Sequence, residues 1–264
     1  MRLRIIRADL HIHTCLSPCG SLEMGPRTIV NEAIRRNLDV IGIADHNSSE
    51  NSLAVMRAAR GRNLTVLPGM EVASKEEVHI LALFDGMENG LRLQEIAYTH
   101  LPGENDEEAF GLQVVVNEDH DVVGYNQRFL AGATELPVDQ IVDRIHGLGG
   151  LAIASHVDRD AFGIIGQLGF IPDGLKLDAL ELSPNTSLAQ ARQRFHRYSR
   201  FALVRFSDAH CPADIGKAST SFLLESPSIA EFKKAFCGED GRRLLPDDAA
   251  PGEPEKKEQD WRRI

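Results

Sequence analysis

The sequence predicts an α/β fold arranged as a βα barrel, and three observations carry that prediction. Short runs rich in aliphatic and β-branched residues alternate with helical stretches of about ten residues, the pattern of βαβ units and a largely parallel sheet. About seven such units occur, which favours a barrel over a two-layer sandwich. Histidines and carboxylates fall just after the strands, where a βα barrel gathers its functional groups. No segment repeats at a period of 20–50 residues, which argues against a solenoid.

Taken in order, residues 3–10 read as a strand, followed by a loop through Gly20. Pro26 suits a first helical position, and Ile29, Val30, Ala33 and Ile34 then share one helix face. Residues 39–44 read as a strand, 52–60 as a helix, and 64–67 as a strand ended by Pro68-Gly69. A strand at 79–84 precedes a helix at 90–100. Residues 112–116 and 122–125 flank an acidic turn at 117–121 and read as a hairpin. Residues 137–146 read as a helix, Gly149-Gly150 as a turn and 151–154 as a strand. Strands at 178–182 and 202–206 flank a helix at 188–200, and a helical pattern recurs at 229–236. Residues 1–240 are thus expected to form the barrel domain, with 100–136 inserted beside it as a lid or a decorated edge. Residues 241–264 are charged, rich in Pro, Asp, Glu and Lys from Pro246 onward, and expected to be disordered, with Trp261 able to dock.

Composition narrows the function classes. The 264 residues include 39 acidic and 29 basic side chains, a formal charge of −10. That balance argues against a sequence-independent grip on duplex nucleic acid, which needs Lys and Arg on phosphates. A small phosphorylated substrate held through metal is compatible with it. No apolar run approaches the ~20 residues of a membrane helix, and the N-terminus lacks the pattern of a signal peptide. A cytoplasmic protein with no membrane partner is expected. Among the four cysteines, Cys15 and Cys19 form a lone C-x3-C while Cys211 and Cys237 lie far away, a spacing that fits thiols or metal ligands better than bridges. Cys237 reads as a small buried helix residue. No amphipathic seam indicates an oligomeric state.

Ten histidines in an acidic chain are the unusual feature. His11 and His13 follow the first strand, Asp45 and His46 the second, and Glu71 the third. His156 follows residues 151–154, and Asp208 with His210 follows residues 202–206. Alternate residues such as His11 and His13 share one side of an extended chain and so can share a metal. Without a cation, so many buried imidazoles and carboxylates face a large desolvation cost. The carboxylates would also raise one another's pKa values, whereas a divalent ion stabilises the ionised form. Two or three divalent ions, Zn, Mn or Fe, are therefore expected. Paired metals acidify a bridging water and clamp attacking and leaving oxygens, which serves phosphoester hydrolysis most directly and C–N hydrolysis also.

Six segments, Asp9-Leu10-His11-Ile12-His13-Thr14, Ala44-Asp45-His46, Gly69-Met70-Glu71, Val78-His79-Ile80-Leu81, Ser155-His156 and Ser207-Asp208-Ala209-His210, together resemble the polymerase and histidinol phosphatase (PHP) family. Their order matches over residues 9–210. The resemblance implies a distorted (β/α)7 barrel with two or three metals at the carboxyl ends of the strands, hydrolysing phosphoesters through a metal-bridging hydroxide. It places His11, His13 and Asp208 on one metal, with Glu71 bridging to a second completed by His79 and His156. His46 and His210 take the third. The family's further ligand there is a histidine a few residues after the H-x-H, and Cys19 stands in the matching place. A thiolate is a competent zinc ligand. The position of His79, which opens its strand, rests on the resemblance alone.

Asp45 reads as a carboxylate that orients a ligating imidazole. His46 or His210, with Asp208, is assigned to catalysis, the imidazole serving as acid for the leaving alcohol where no third metal binds. Arg159 and Lys217 are the candidate phosphate-binding residues, ahead of Arg27 and Lys75. His100 and His146 read as helix C-terminal residues, and His120 and His196 as exposed ones. The expected substrate is a small phosphomonoester or nucleotide phosphate. The alternatives are an exonuclease-like phosphodiesterase, an amidohydrolase and a non-catalytic metal-binding module. No Lys occupies the strand-end position that often bridges amidohydrolase metals.

Overall fold

The computed structural model describes residues 2–246. Strand β1 (Arg4–Ile12) leads through a long loop to α1 (Pro26–Arg35), which buries Pro26, Ile29, Val30 and Ala33 against the sheet. β2 (Val40–Ile43), α2 (Ser52–Ala58) and β3 (Thr65–Ala73) continue the alternation, and β4 (His79–Leu83) and α3 (Met87–Thr99) follow. The inserted stretch contains α4 (Glu107–Phe110) and the hairpin β5 (Val114–Val116) and β6 (Val122–Tyr125). Then come α5 (Val138–Gly147), β7 (Leu151–Ala154), α6 (Ile164–Leu168), β8 (Ala179–Leu182), α7 (Leu188–Arg194) and β9 (Ala202–Arg205). The described chain closes with β10 (Thr220–Leu224), α8 (Ile229–Cys237) and β11 (Arg243–Leu244).

One curled nine-stranded sheet runs in the order β11-β10-β1-β2-β3-β4-β7-β8-β9. Seven of these strands, β1, β2, β3, β4, β7, β8 and β9, form the wall of a distorted barrel. β1-β2-β3 and β7-β8-β9 are parallel, but β4 is antiparallel to both neighbours. β10 and β11 add antiparallel strands at the edge of β1. β9 does not ladder onto β1. The seam closes instead through a bridge between Ile12 and Ala209 and through Asp9, whose carboxylate accepts the amide of Ser207 at 2.9 Å.

Strand alternation divides the core. Leu81 and Leu83 face the barrel interior with Leu10, Val40, Leu67 and Ile153, while Ile80 and Ala82 pack against Ile141, Val142 and Ile145 of α5. Both faces of the wall are therefore apolar, as a helix-covered sheet requires. No helix among the described residues is long and apolar enough to cross a membrane.

The largest departure from the sequence reading is β3. Pro68-Gly69 is not a strand end but the point where β3 changes partner: Pro68 is the last residue in register with β2, and Gly69 the first with β4. A Cβ at Gly69 would stand 2.0 Å from the Ala82 carbonyl oxygen, so only glycine allows the strand to cross there. The extra length carries Glu71 into the mouth. The expected helix at 188–200 ends at Arg194 and gives way to a 3-10 turn, His196–Tyr198. The short elements α4, α6, β10 and β11 are not predicted by the sequence pattern.

The inserted stretch packs onto the loop after β1. Val114 and Val116 bury Cys15, and Leu101 and Leu130 bury Leu16. Asn51 donates to the Val114 carbonyl at 3.0 Å and accepts from the Val116 amide at 3.0 Å, which fixes the hairpin beside the mouth. The sheet also runs beyond the boundary expected at 240, because Arg243 and Leu244 pair with β10. The disorder expected for 247–264, and the docking of Trp261, concern positions outside the described residues.

Candidate metal centre

Glu71 is the hub. Its buried Oε1 lies 3.4 Å from His11 Nε2 and 3.2 Å from His156 Nε2, and its Oε2 lies 3.1 Å from His79 Nδ1, 3.2 Å from His46 Nδ1 and 3.7 Å from His13 Nε2. Five imidazoles from the ends of four strands thus converge on one carboxylate. His79 reaches it because β4 runs downward from the mouth, so its first residue is level with the last residues of β3: His79 is in register with Ala73. Asp208 Oδ1 lies 3.1 Å from His13 Nε2 and 3.5 Å from His11 Nε2.

Three sets of ligand atoms are close enough to share an ion: His11, His13 and Asp208; His46, Glu71 and His79; and His13, Cys19, His46 and His210. His13 and His46 each belong to two sets, so the sets are contiguous. The chain also holds unusual backbone here. His156 has φ 30°, Asp208 φ 49° and Asn47 φ 51°, left-handed values that non-glycine residues adopt at a cost of order 1–3 kcal/mol.

The far sides of the rings define their tautomers. Glu181, which is fully buried on β8, holds His11 Nδ1 with its two oxygens at 3.0 and 2.9 Å. An ionised carboxylate only accepts, so Nδ1 of His11 carries the proton and Nε2 presents its lone pair to the cluster. His210 Nδ1 donates to the Asp208 carbonyl oxygen at 2.7 Å, with the same result. Ser17 Oγ donates to Asp45 Oδ1 at 2.7 Å and lies 2.9 Å from His13 Nδ1, from which it accepts. Asp45 therefore touches no imidazole. It orients His13 through Ser17, and it is itself held by the Thr14 amide and hydroxyl, each at 2.7 Å.

Metal-free, the cluster is electrostatically frustrated. Burial favours a neutral Glu71, but His79 and His11 outweigh it and hold the carboxyl well below its usual range. Burial likewise opposes ionisation of Asp208, and His11 and His13 reverse it. Burial lowers His13 and His79, with neighbouring imidazoles adding to the effect. His11 moves the other way: burial is overcome by Glu181, Glu71 and Asp208. Against burial, hydrogen bonds with Cys19 and Glu71 raise His46 to about 10. Against burial too, hydrogen bonds with His210 and His46 lower the Cys19 thiol to about 7. Glu71 Oε1, His79 Nδ1 and His156 Nδ1 are buried without a hydrogen-bond partner. Buried polar atoms left unpaired are costly. Divalent cations at the cluster satisfy Glu71 Oε1 and His79 Nδ1 and replace the competing protons, so the donor set fits metal.

Arg159 reaches the rim, with Nη1 donating to Asp208 Oδ2 at 2.7 Å. Lys217 does not. It is exposed and pairs with Asp214, beside Arg36 at the end of α1, because the 3-10 turn at Pro212–Asp214 carries the chain down the side of the barrel. Arg27 pairs with Asp119 of the hairpin turn, and Lys75 is exposed. His100 and His196 bond to backbone carbonyls of their own helical turns, His146 bonds to Asp178, and His120 lies against Gly25. None of these four joins the cluster. Glu181 and Ser17 were missed by sequence reasoning. A lone carboxylate in the apolar run Ala179–Leu182 was a readable signal for Glu181; Ser17 carried none.

The PHP domain family model matches residues 9–169, more than half of the chain. The chain belongs to the PHP domain family. Membership and the clustered ligands together make it a metal-dependent hydrolase in its broad class. The fold of this PHP domain is similar to the lesion-specific endonuclease PfuEndoQ from Pyrococcus furiosus, with TM-score 0.65 and 18% identity, covering 92% of this chain and 58% of that one. It is also similar to an endonuclease Q in complex with a 27-mer duplex carrying an abasic lesion, with TM-score 0.64 and 18% identity, covering 92% and 59%. A third likeness is to an amidohydrolase from Chromobacterium violaceum, with TM-score 0.53 and 18% identity, covering 79% and 89%. The chain thus spans less than two thirds of the endonucleases, and at these identities the likeness is one of fold. No curated protein matches the sequence.

Proposed function

We propose that this PHP domain hydrolyses phosphate esters, with a small phosphomonoester or nucleotide phosphate as substrate. The observation that carries the reading is the Glu71 carboxylate shared among five imidazoles. That arrangement suits two or three adjacent divalent ions. His11, His13, Asp208 and Glu71 would hold one, Glu71, His79 and His156 a second, and Cys19, His46 and His210 a third. Such ions neutralise phosphoryl oxygens and lower the pKa of water.

The remaining chemistry belongs to the chain. Glu181, the Asp45–Ser17 pair and the Asp208 carbonyl hold the Nδ1 protons of His11, His13 and His210, which aims each Nε2 inward. Arg159 is half-exposed and already bound to one carboxylate oxygen, so its remaining N–H groups are free to hold a phosphoryl oxygen. With the third group empty, the protonated His46 or His210 donates to the departing alkoxide.

A second reading is a phosphodiester in an oligonucleotide. Its support is the likeness to an endonuclease captured on duplex DNA, which weakens the expectation of no duplex partner; the charge of −10 opposes it. The likeness to an amidohydrolase keeps C–N hydrolysis as a class to test. The experiment is a panel of aryl and nucleotide monophosphates, duplex and single-stranded oligonucleotides and amides, offered to protein loaded with Mn or Zn. Turnover of monophosphates is the expected result. Inactivity of the fully metallated protein on every phosphoester would overturn the reading.

A further inference from the structure

The loop after β7 brings three groups to the mouth: His156, Arg159 and Phe162. Phe162 lies over His79, with ring centroids 4.6 Å apart and planes at 16°. Backbone contacts hold the turn that presents it. The Phe162 carbonyl accepts the His79 amide at 2.9 Å, and at the next residue, Gly163, a Cβ would stand 2.5 Å from the Arg159 carbonyl oxygen. Phe162 itself has φ 62°, a left-handed value unfavourable for an aromatic residue. Yet the residue is 43% exposed. The face on His79 is covered, so the exposed part of the ring lies away from that contact. Bracing His79 explains the covered face; it does not explain an open aromatic face held in a strained, rigid turn.

Position supplies the rest. Glu71 Oε2 is 3.1 Å from His79 Nδ1 at the edge of the imidazole, and the Phe162 ring lies over its face, centroids 4.6 Å apart. Arg159, three residues before Phe162 in the same loop, meets Asp208 of the cluster at 2.7 Å, so both side chains border the same mouth. Planar rings stack on aromatic side chains without regard to their hydrogen-bonding pattern.

We propose that the open face of Phe162 is a stacking subsite for a planar ring, a nucleobase or aryl group, on the phosphoester substrate. The proposal rests on the phosphoester reading above and narrows its substrate class. Phenylphosphonate and methylphosphonate test it, since both carry the same anionic head and neither has an ester bond to break. Their binding to the full, metal-loaded chain is measured by calorimetry, with the metal content of every variant assayed beside it. Wild type is expected to bind phenylphosphonate about tenfold more tightly, within the range seen for ring stacking. Phe162→Ala removes the preference and Phe162→Trp restores it, while Phe162→Leu, which keeps an apolar cover on His79, does not. Metal content stays constant throughout. Equal weakening of both ligands in Phe162→Ala, or a preference that survives it, overturns the subsite. If neither phosphonate binds the fully metallated wild type, the phosphoester reading fails and takes the subsite with it.

Discussion

Replacing Glu181 by Gln isolates the part played by a residue that touches no substrate. Both carboxylate oxygens meet His11 Nδ1, at 3.0 and 2.9 Å, in a fully buried position. The amide conserves volume but removes the charge, and so weakens the basicity of the opposite nitrogen. Outer carboxylates on metal-bound histidines contribute about 10–100-fold in metal affinity or activity, which corresponds to roughly 1.4–2.8 kcal/mol. Folding without metal responds too. Burial disfavours the His11 cation and Glu181 opposes that effect, so removing this one partner of a buried pair is expected to cost about 3–5 kcal/mol. The melting temperature of the metal-free protein is therefore expected to fall by about 6–20 °C. Competition with a chromophoric chelator measures zinc affinity, and calorimetry measures stability with metal removed. A Glu181→Gln variant with wild-type zinc affinity would refute the reasoning. So would a metal-free melting temperature equal to that of wild type, because the buried pair would then contribute nothing.

The Cys19 thiol, lowered to about 7 by hydrogen bonds with His210 and His46 against burial, reports its own titration. In metal-free protein, iodoacetamide labelling of Cys19 followed by mass spectrometry should inflect near pH 7, and added zinc should block it. The sign for stability follows from a folded value below the unfolded 9.0: the contribution is complete above pH 9 and is lost as pH falls through about 7. Cys19→Ala should therefore abolish a rise in melting temperature between pH 7 and 9. Ser17→Ala cuts the link from His13 to Asp45 and leaves that carboxylate with only the Thr14 donors, so destabilisation by about 1–3 kcal/mol is expected in denaturant titrations. Arg159→Ala should raise KM for phosphomonoesters about tenfold with a near-normal melting temperature, since its ion pair with Asp208 is partly exposed; an unchanged KM would remove Arg159 from the binding site.

Much of the site was readable because it lies at strand ends. A barrel wall assembled from alternating strands and helices sends the residue after each parallel strand to the same mouth, so His11, His13, His46, His156, Asp208 and His210 could be grouped from order alone. Glu71 was grouped in the same way, although β3 runs past its apparent end at Pro68-Gly69 and carries Glu71 within the strand. His79 shows where that logic stops: β4 comes back antiparallel and His79 opens it. Local pattern marks Pro-Gly as a turn, and only the partner switch from β2 to β4 makes it a crossing point. Lys217 is the opposite case: it follows the last D-x-H closely, yet a 3-10 turn leads it away from the mouth.

Chemistry in this protein was thus set by residue types, since imidazoles and carboxylates at successive strand ends imply a cation in any barrel that gathers them. Tertiary structure decided which atoms face that cation. Nothing local predicts that Glu181, on β8, meets His11, on β1, across the barrel, or that Asp45 acts through Ser17 rather than on a ring directly. Those pairings depend on the curvature of the sheet and on the loops above it. Hydrogen-bond partners are chosen by distances of a few tenths of an ångström, and separation along the chain carries no information at that scale.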